Sequence, residues 1–336
     1  METLLFAINA IMPIILLILL GYFLKRRNFL DEQWFKKGNK MIFRVCLPAM
    51  LFINVYNIES FAKINWTAVW YSEAVIVFLF LLGIVLVKWL VPDDKQKGVV
   101  VQCVFRSNFG IIGLPLAAAL GSTESLGIAA VLSAFSIPTF NIFATIAMTM
   151  FLKDKSGKVD VKGMVKKIVT NPLNIGVATG LVVLVIRSFI PVNADGQLAF
   201  SLKDSLPLVY KTVNNVSQIC SPLALIILGG LFEFSAIQGR KKTIIIGTAA
   251  RIFVAPLIGL GTVILLSKYT SFQMDSAAYP ALLALFGSPM AVSSAVMAQE
   301  MDNDGVLAGQ LVVWTSFFAI VTLFIFVFAL RIMGLL

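Results

Sequence analysis

One long apolar segment contains the sequence Arg106-Ser107-Asn108-Phe109-Gly110-Ile111-Ile112-Gly113-Leu114-Pro115. Glycine and proline both weaken a helix, because glycine has no Cβ to restrict the backbone and proline has no amide hydrogen. Inside a bilayer such an interruption is tolerated only where protein or water satisfies the freed backbone groups. The stretch therefore predicts a broken transmembrane helix, in which one half ends near Gly110 and the next begins near Pro115.

Two short proline motifs each occur twice, at the same separation. The Gly-Leu-Pro of 113–115 returns as Gly-Ser-Pro at 287–289, and the Cys-Leu-Pro of 46–48 returns as Cys-Ser-Pro at 220–222. One such motif alone indicates no more than a proline kink. The matched pair predicts a second break around 287–289, and a pair of broken helices in two halves of a chain is typical of a transporter's binding site.

The composition is that of a membrane protein. Of 336 residues, 59% are apolar and 13% are charged, whereas a soluble domain carries roughly 25% charge. Each of ten apolar runs can cross a hydrocarbon core of about 30 Å as a helix. They predict an all-α polytopic membrane protein with ten transmembrane helices over residues 4–24, 41–57, 66–91, 99–120, 126–152, 168–190, 209–234, 243–266, 277–298 and 305–330.

Basic residues predict the orientation. Most of the 27 Lys and Arg residues fall in alternate loops, at 25–40, 88–97, 153–167 and 240–242. The positive-inside rule places these loops in the cytoplasm and both termini outside. The net charge of +10 is then a property of the cytoplasmic face. Nucleic-acid binding needs a basic patch on a folded surface domain. The sequence predicts no such domain, so this function is excluded.

The chain divides into two halves, 1–152 and 168–336, joined by a charged cytoplasmic linker at 153–167. Five helices per half is an odd number, so the second half starts on the opposite side of the membrane. This arrangement predicts inverted repeats about an axis in the membrane plane. The first helices of the halves agree as well, since Pro13 and Gly21 have the same spacing as Pro172 and Gly180.

Three ionisable side chains lie inside the predicted helices, namely Glu73, Arg106 and Arg251. Each costs about 2.5–3.5 kcal/mol near a helix centre, so each must pair inside the bundle or line a wet cavity. Glu73 lies close enough to one end of its helix for its carboxyl group to hydrogen-bond near the interface. Arg106 either supports the break or attracts a carboxylate, and Arg251 either lines the inner vestibule or snorkels to the surface.

The break itself supplies the other candidate ligands. Amide ends of half-helices attract anions and carbonyl ends attract cations. An amide-bearing stripe on the seventh helix, which includes Asn215, either faces the substrate or forms interhelical hydrogen bonds. The predicted substrate-binding residues are Asn108, Gly110, Gly113, Pro115, Ser288, Pro289, Ser293, Ser294 and Asn215, with no catalytic or metal-ligating residue.

An intramembrane enzyme is excluded. The chain has no histidine, which removes Ser-His and zinc-His mechanisms. It has no aspartate inside a predicted helix, which removes an aspartyl dyad. It also has no Gly-x-x-x-x-Gly-Lys-Ser/Thr stretch for ATP hydrolysis. A channel, or a membrane sensor that reuses a carrier fold, remains as an alternative to a carrier.

The pattern Asn108-x-Gly110-x-x-Gly113-x-Pro115, with ten predicted helices in two halves, resembles the auxin efflux carrier family. That family includes plant PIN-FORMED carriers and bacterial permeases for malate or malonate. The resemblance implies a fold similar to sodium/proton antiporters, with crossed broken helices 4 and 9. Helices 1, 2, 6 and 7 would form a scaffold, and helices 3–5 and 8–10 would form a transport domain.

The resemblance also carries expectations for single residues and for function. Asn108, Pro115 and Pro289 match crossover positions, and Glu73 lies in the helix where the family has a proton-linked acidic residue. The long cytoplasmic loop of plant members is absent. The expected protein is a bacterial-type secondary transporter of a mono- or dicarboxylate in the plasma membrane, working by elevator-like alternating access. It would need no cofactor, with H⁺ symport, Na⁺ symport and uniport all open, and would form a homodimer.

Overall fold

The computed structural model describes residues 2–57, 65–152, 161–190, 200–232 and 237–336. In these ranges the chain is mostly helical and forms no strand. Five described helices are long and apolar enough to cross a membrane, and shorter apolar helices accompany them. The chain is therefore a polytopic helical membrane protein. The five long spans are Trp66–Leu90, Thr123–Met150, Pro207–Gly230, Lys241–Tyr269 and Gly305–Ile332.

The first half contains seven α-helices among the described residues. They are α1 (Glu2–Arg26), α2 (Glu32–Met41), α3 (Leu47–Tyr56), α4 (Trp66–Leu90), α5 (Asp94–Phe105), α6 (Leu114–Leu120) and α7 (Thr123–Met150). Several begin at a side chain that accepts a hydrogen bond from the first turn, as Asp31 does from the Trp34 amide at 2.7 Å and Asn65 from the Ala68 amide at 3.0 Å. Such caps satisfy amides that have no partner within the helix.

The second half contains nine α-helices in the described ranges. They are α8 (Val161–Thr170), α9 (Pro172–Ser188), α10 (Leu202–Ser205), α11 (Pro207–Gly230), α12 (Lys241–Ala249), α13 (Ala255–Tyr269), α14 (Ala278–Gly287), α15 (Val292–Glu300) and α16 (Gly305–Ile332). Helix α8 occupies the end of the segment predicted as a linker, of which residues 153–160 lie outside the described residues.

Wide π-helical turns lead directly into helices at three places in the described chain, Ile42–Cys46, Phe109–Gly113 and Ala250–Val254. Each is closed by a hydrogen bond between residues five positions apart, as from the Leu114 amide to the Phe109 carbonyl. A proline follows each turn by two residues. Because proline cannot donate to the helix ladder, the chain accommodates it by widening the preceding turn.

The first helix break lies upstream of the predicted position. Helix α5 ends at Phe105, and the backbone of Arg106 is extended. The prediction that a half-helix ends near Gly110 was therefore wrong. The glycines at 110 and 113 belong to the π turn that leads into α6, and the backbone groups freed at 106–108 are satisfied by another segment.

That segment is the second break, where α14 ends at Gly287 and α15 begins at Val292. This position matches the prediction. Ser107 and Met290 form an antiparallel bridge. The Asn108 amide donates to the Pro289 carbonyl at 2.8 Å, and the Ala291 amide donates to the Arg106 carbonyl at 3.3 Å. Each break thus supplies the partners that the other one needs.

Glycines bring two helix pairs into close contact. A Cβ on Gly21 of α1 would lie 1.8 Å from the Ile226 carbonyl oxygen of α11. A Cβ on Gly180 of α9 would lie 3.2 Å from the Phe52 carbonyl oxygen and 2.8 Å from the Val55 side chain of α3. The Gly-x-x-x-Gly of 176–180 is therefore a helix-packing motif, as its spacing predicts.

Candidate functional site

A cavity of about 60 Å³ lies between the two breaks and the helices α3 and α11. This is room for a few water molecules. One wall is formed by Arg106, Ser107, Asn108, Gly110, Ile111, Ala291, Val292 and Ser293, with Ile137 and Phe140 of α7. The facing wall is formed by Leu47, Met50, Leu51, Asn54, Cys220, Ser221 and Ala224. Among the described residues, no acidic side chain lines the cavity.

Arg106 is the charged residue of this cavity, and its side chain is only 4% exposed. One terminal nitrogen donates to the Asn141 amide oxygen at 2.7 Å and to the Ser293 hydroxyl at 3.0 Å. The other contacts the Met297 sulfur at 3.4 Å. Within the described ranges no carboxylate forms an ion pair with it. Neutral partners hold the guanidinium in place and leave its charge uncompensated.

Asn108 is the second polar group at the break. Its carbonyl accepts from the Ile112 amide at 2.9 Å, so its backbone starts the π turn. Its side-chain nitrogen is buried and has no hydrogen-bond partner within the described part of the chain. A buried donor without a partner costs about 1–3 kcal/mol, which a ligand with an acceptor oxygen can recover.

Two helix amino ends also reach the cavity. The π turn that leads into α6 starts at Phe109, and α15 starts at Val292. Gly110 and Ser293, both in a first turn, line the cavity. First-turn amides lack acceptors within the helix and carry partial positive charge. Together with Arg106 they make the cavity positive, and such a site favours an anion.

The structure brings together four residues of the predicted set, namely Arg106, Asn108, Gly110 and Ser293. Gly113 is buried, and a Cβ there would lie 2.2 Å from the Phe109 ring. Pro289 joins the breaks through its carbonyl. Pro115 stands at the start of α6, and its side chain lies outside the described residues.

The remaining neutral candidates do not line the cavity. The Ser288 hydroxyl donates to the Ala284 carbonyl at 2.6 Å and so caps α14. Ser294 is fully buried. Asn215 is exposed beside Gln218, on a different face of α11 from Ser221. Sequence spacing could not separate these positions, because it gives proximity along the chain and not the face of each helix.

Glu73 lies apart from the cavity, on α4 against α7. One carboxylate oxygen accepts from the Thr139 hydroxyl at 2.7 Å. The other is buried and has no hydrogen-bond partner among the described residues. No described hydrogen bond or ion pair connects Glu73 with Arg106.

Arg251 neither snorkels nor lines the cavity, because its side chain is fully buried. It lies in the π turn between α12 and α13. One terminal nitrogen donates to the Val104 carbonyl at 3.1 Å, and the other donates to the Phe286 carbonyl. These are the carboxyl ends of α5 and α14, where a cation is favourable. Arg251 therefore joins the carbonyl ends of both broken helices.

Asn54, Asn141 and Ser221 were not among the predicted site residues. Asn54 and Ser221 line the cavity from α3 and α11, and Asn141 orients Arg106. A signal for Asn54 was present, because it is an amide inside an otherwise apolar run. Asn141 had no such signal, since α7 carries several small polar residues, whereas Ser293, the other oxygen partner of Arg106, was among the predicted residues.

Comparison with known proteins agrees with this architecture. A family model described as membrane transport protein matches residues 6–327. A protein of Methanocaldococcus jannaschii, described as an uncharacterized transporter, is 22% identical over 256 residues, which cover 74% of this chain and 76% of the relative. Such a family is a class of transporters and not of enzymes. The chain belongs to the auxin efflux carrier family of membrane transport proteins.

Proposed function

We propose that the protein is a secondary transporter of a small organic anion, a mono- or dicarboxylate such as malate or malonate. The observation that carries the proposal is the cavity between the breaks. Arg106, which no described carboxylate neutralises, stands there beside the unpartnered Asn108 amide and two helix amino ends. A carboxylate offers Arg106 the negative charge that its neutral partners do not supply, and it offers the Asn108 amide and the first-turn amides an acceptor oxygen.

The mechanism that fits this site is alternating access. The cavity lies between α3 and α11 on one side and the paired breaks on the other. Helices α1, α3, α9 and α11 would form the scaffold. The segments from α4 to α7 and from α12 to α16 would move against it as the transport domain, carrying the bound anion in an elevator-like step.

An inverted repeat is supported by the glycine contacts. Gly21 of α1 meets the Ile226 carbonyl, and Gly180 of α9 meets the Phe52 carbonyl. Phe52 and Ile226 have the same separation as the two Cys-x-Pro motifs, so equivalent residues make equivalent contacts. Ten spans in two inverted halves fit this symmetry. With the basic loops in the cytoplasm, both termini would lie outside the plasma membrane.

Two further features belong to the proposal. Glu73 is a membrane-embedded carboxyl with one buried oxygen that has no hydrogen-bond partner among the described residues, which suits a site for a coupling proton. The exposed amides of Asn215 and Gln218 are costly against lipid, and a second copy of the chain would cover them in a homodimer. Transport at several pH values and the mass of the detergent-solubilised protein test these two points.

The decisive experiment is uptake by purified protein in liposomes. A panel of carboxylates is offered under pH, sodium and voltage gradients that are imposed separately. We expect saturable uptake of a carboxylate, and counterflow when the liposomes are preloaded with unlabelled substrate. Flux without counterflow would indicate a channel, and binding without flux would indicate a sensor. Transport of cations or neutral solutes in preference to carboxylates would contradict the proposal.

A further inference from the structure

A groove of about 410 Å³ runs along the outer surface of α12 and the π turn that follows it. Its residues on this segment recur every three or four positions and form one continuous helix face. They are Lys241, Ile244, Ile245, Thr248, Ala249, Ile252 and Phe253. Trp314 and Phe318 of α16, stacked with ring centroids 6.0 Å apart, line it as well. From Lys241 to Phe253 the groove is about 18 Å long at 1.5 Å per residue.

The groove is apolar except at one end. Ile245 and Phe253 are exposed on helices that cross the membrane, so the groove faces the lipid. Lys241 stands at the end of α12 where Arg240, Lys241 and Lys242 follow one another. Arg240 is held by Asp304 at 2.8 Å. Lys241 is exposed, and no described acidic side chain forms an ion pair with it.

An apolar groove about 18 Å long with an exposed lysine beside one end matches the length and polarity of one lipid tail next to an anionic headgroup. We propose that the groove binds an anionic phospholipid, with an acyl chain between α12 and the aromatic pair of α16 and the phosphate at Lys241. A zwitterionic lipid offers the same chain, but its headgroup carries no net charge for Lys241.

A lipid in the groove would lie next to the π turn that supports the two helix breaks. Ile252 and Phe253, which line the groove, directly follow Arg251 in the same π turn. Arg251 holds the carbonyl ends of both broken helices. An acyl chain in the groove would thus pack on the outer side of the turn that supports the crossing, and would stabilise it.

The test measures the melting temperature of the full-length purified protein in detergent during titration with lipid. Dioleoyl phosphatidylglycerol is compared with dioleoyl phosphatidylcholine and with inorganic phosphate. We expect phosphatidylglycerol to raise the melting temperature more than phosphatidylcholine does, and inorganic phosphate to have no effect. Equal shifts with the two lipids, or a full shift with phosphate alone, would overturn the proposal.

Variants locate the binding. Lys241→Gln should weaken phosphatidylglycerol binding in native mass spectrometry about fivefold, the effect of one lysine near an anionic headgroup. Lys242→Gln, next to it but not in the groove, is the matched control. Ala249→Trp should fill the groove and abolish binding, whereas Leu257→Trp on the exposed face of α13 should not. Equal losses in Lys241→Gln and Lys242→Gln, or lipid retained in Ala249→Trp, would contradict a specific site.

Discussion

The two buried arginines, Arg106 and Arg251, have different roles in the protein. Arg251 directs its hydrogen bonds to the carbonyl ends of α5 and α14, so its charge is used by the fold. Arg106 is held by neutral side chains and faces a cavity, so its charge is left for a ligand. Both lie in spans where an unpaired charge is costly, and of the two only Arg106 borders the cavity that we propose to bind an anion.

Replacing Arg106 should therefore weaken substrate binding. A hydrogen bond to a charged group contributes about 1.5–3 kcal/mol, so Arg106→Gln should lower carboxylate affinity by about ten- to 100-fold. Carboxylate binding to the purified protein and uptake in liposomes measure the loss. Arg44→Gln makes the same change of charge at an exposed position and should leave both unchanged. Normal uptake by Arg106→Gln would remove Arg106 from the binding site.

Replacing Arg251 should lower the melting temperature of the protein, because its side chain holds the ends of two helices. Arg251→Met leaves the carbonyls of Val104 and Phe286 without a donor, and a buried unsatisfied group costs about 1–3 kcal/mol. Arg251→Lys has no fork to bridge two acceptors, so it should lie between Arg251→Met and wild type in melting temperature. Thermal unfolding in detergent measures the order, with the exposed Arg331→Met as control. Three equal melting temperatures would show that the bridge adds no stability.

For the helices, the sequence predicted that two of them are broken, but it did not predict the position of the first break. Gly110, Gly113 and Pro115 suggested the break because glycine and proline are the usual causes. The ladder is interrupted instead at Arg106–Asn108, where the side chains give no local reason for it. The cause is tertiary, because residues 289–291 supply the hydrogen-bond partners. The second break was predicted correctly, since Gly287 and Pro289 stand at the interruption itself.

Close helix packing, in contrast, could be predicted from the chain. The Gly-x-x-x-Gly of 176–180 lies against α3, as its spacing indicates. The partner helix could not be predicted, since spacing identifies a face and not what covers it. The cavity shows the same limit. Arg106 and Asn108 were found from the broken segment, whereas Asn54 and Ser221 reach the cavity only through the packing of α3 and α11.

Glycine substitutions test this packing with a control inside the same chain. Gly21→Ala would place a methyl group 1.8 Å from the Ile226 carbonyl oxygen, so α1 and α11 must separate and the melting temperature should fall. Gly127 of α7 is exposed, and a Cβ at this position would have no described atom within 4 Å. Gly127→Ala should be neutral or stabilise by roughly 0.5–1 kcal/mol, the usual helix preference for alanine.

The comparison is made by thermal unfolding of both variants in one detergent. An unchanged melting temperature in Gly21→Ala would mean that the two helices are not held at this distance. A fall of the same size in Gly127→Ala would mean that the effect comes from the glycine substitution itself and not from the contact.

At the scale of the whole molecule, the question is whether the two sides of the cavity move relative to each other. Helix α2, which leads into α3, touches the end of α15 through a hydrogen bond from the Asn39 amide to the Glu300 carboxylate at 3.4 Å. Because α2 continues through the π turn of Ile42–Cys46 into the proposed scaffold helix α3, this contact joins the scaffold side to the proposed transport domain. Arg240 and Asp304 lie 2.8 Å apart, and both belong to the proposed transport domain. This pair is therefore the control for a contact between the two domains.

Crosslinking these two pairs should therefore have different effects on transport. In Asn39→Cys/Glu300→Cys, a short bis-methanethiosulfonate reagent, which forms a disulfide with each cysteine and releases methanesulfinate, should fix the two domains and stop carboxylate uptake. Reduction of these disulfides should restore it. In Arg240→Cys/Asp304→Cys the same link should leave uptake active. The native cysteines are buried, but Cys220 also lines the cavity, so the unsubstituted protein treated with the same reagent is the control for their modification. Full uptake by the linked Asn39→Cys/Glu300→Cys protein would mean that the substrate crosses without this domain movement, which alternating access between these walls does not permit.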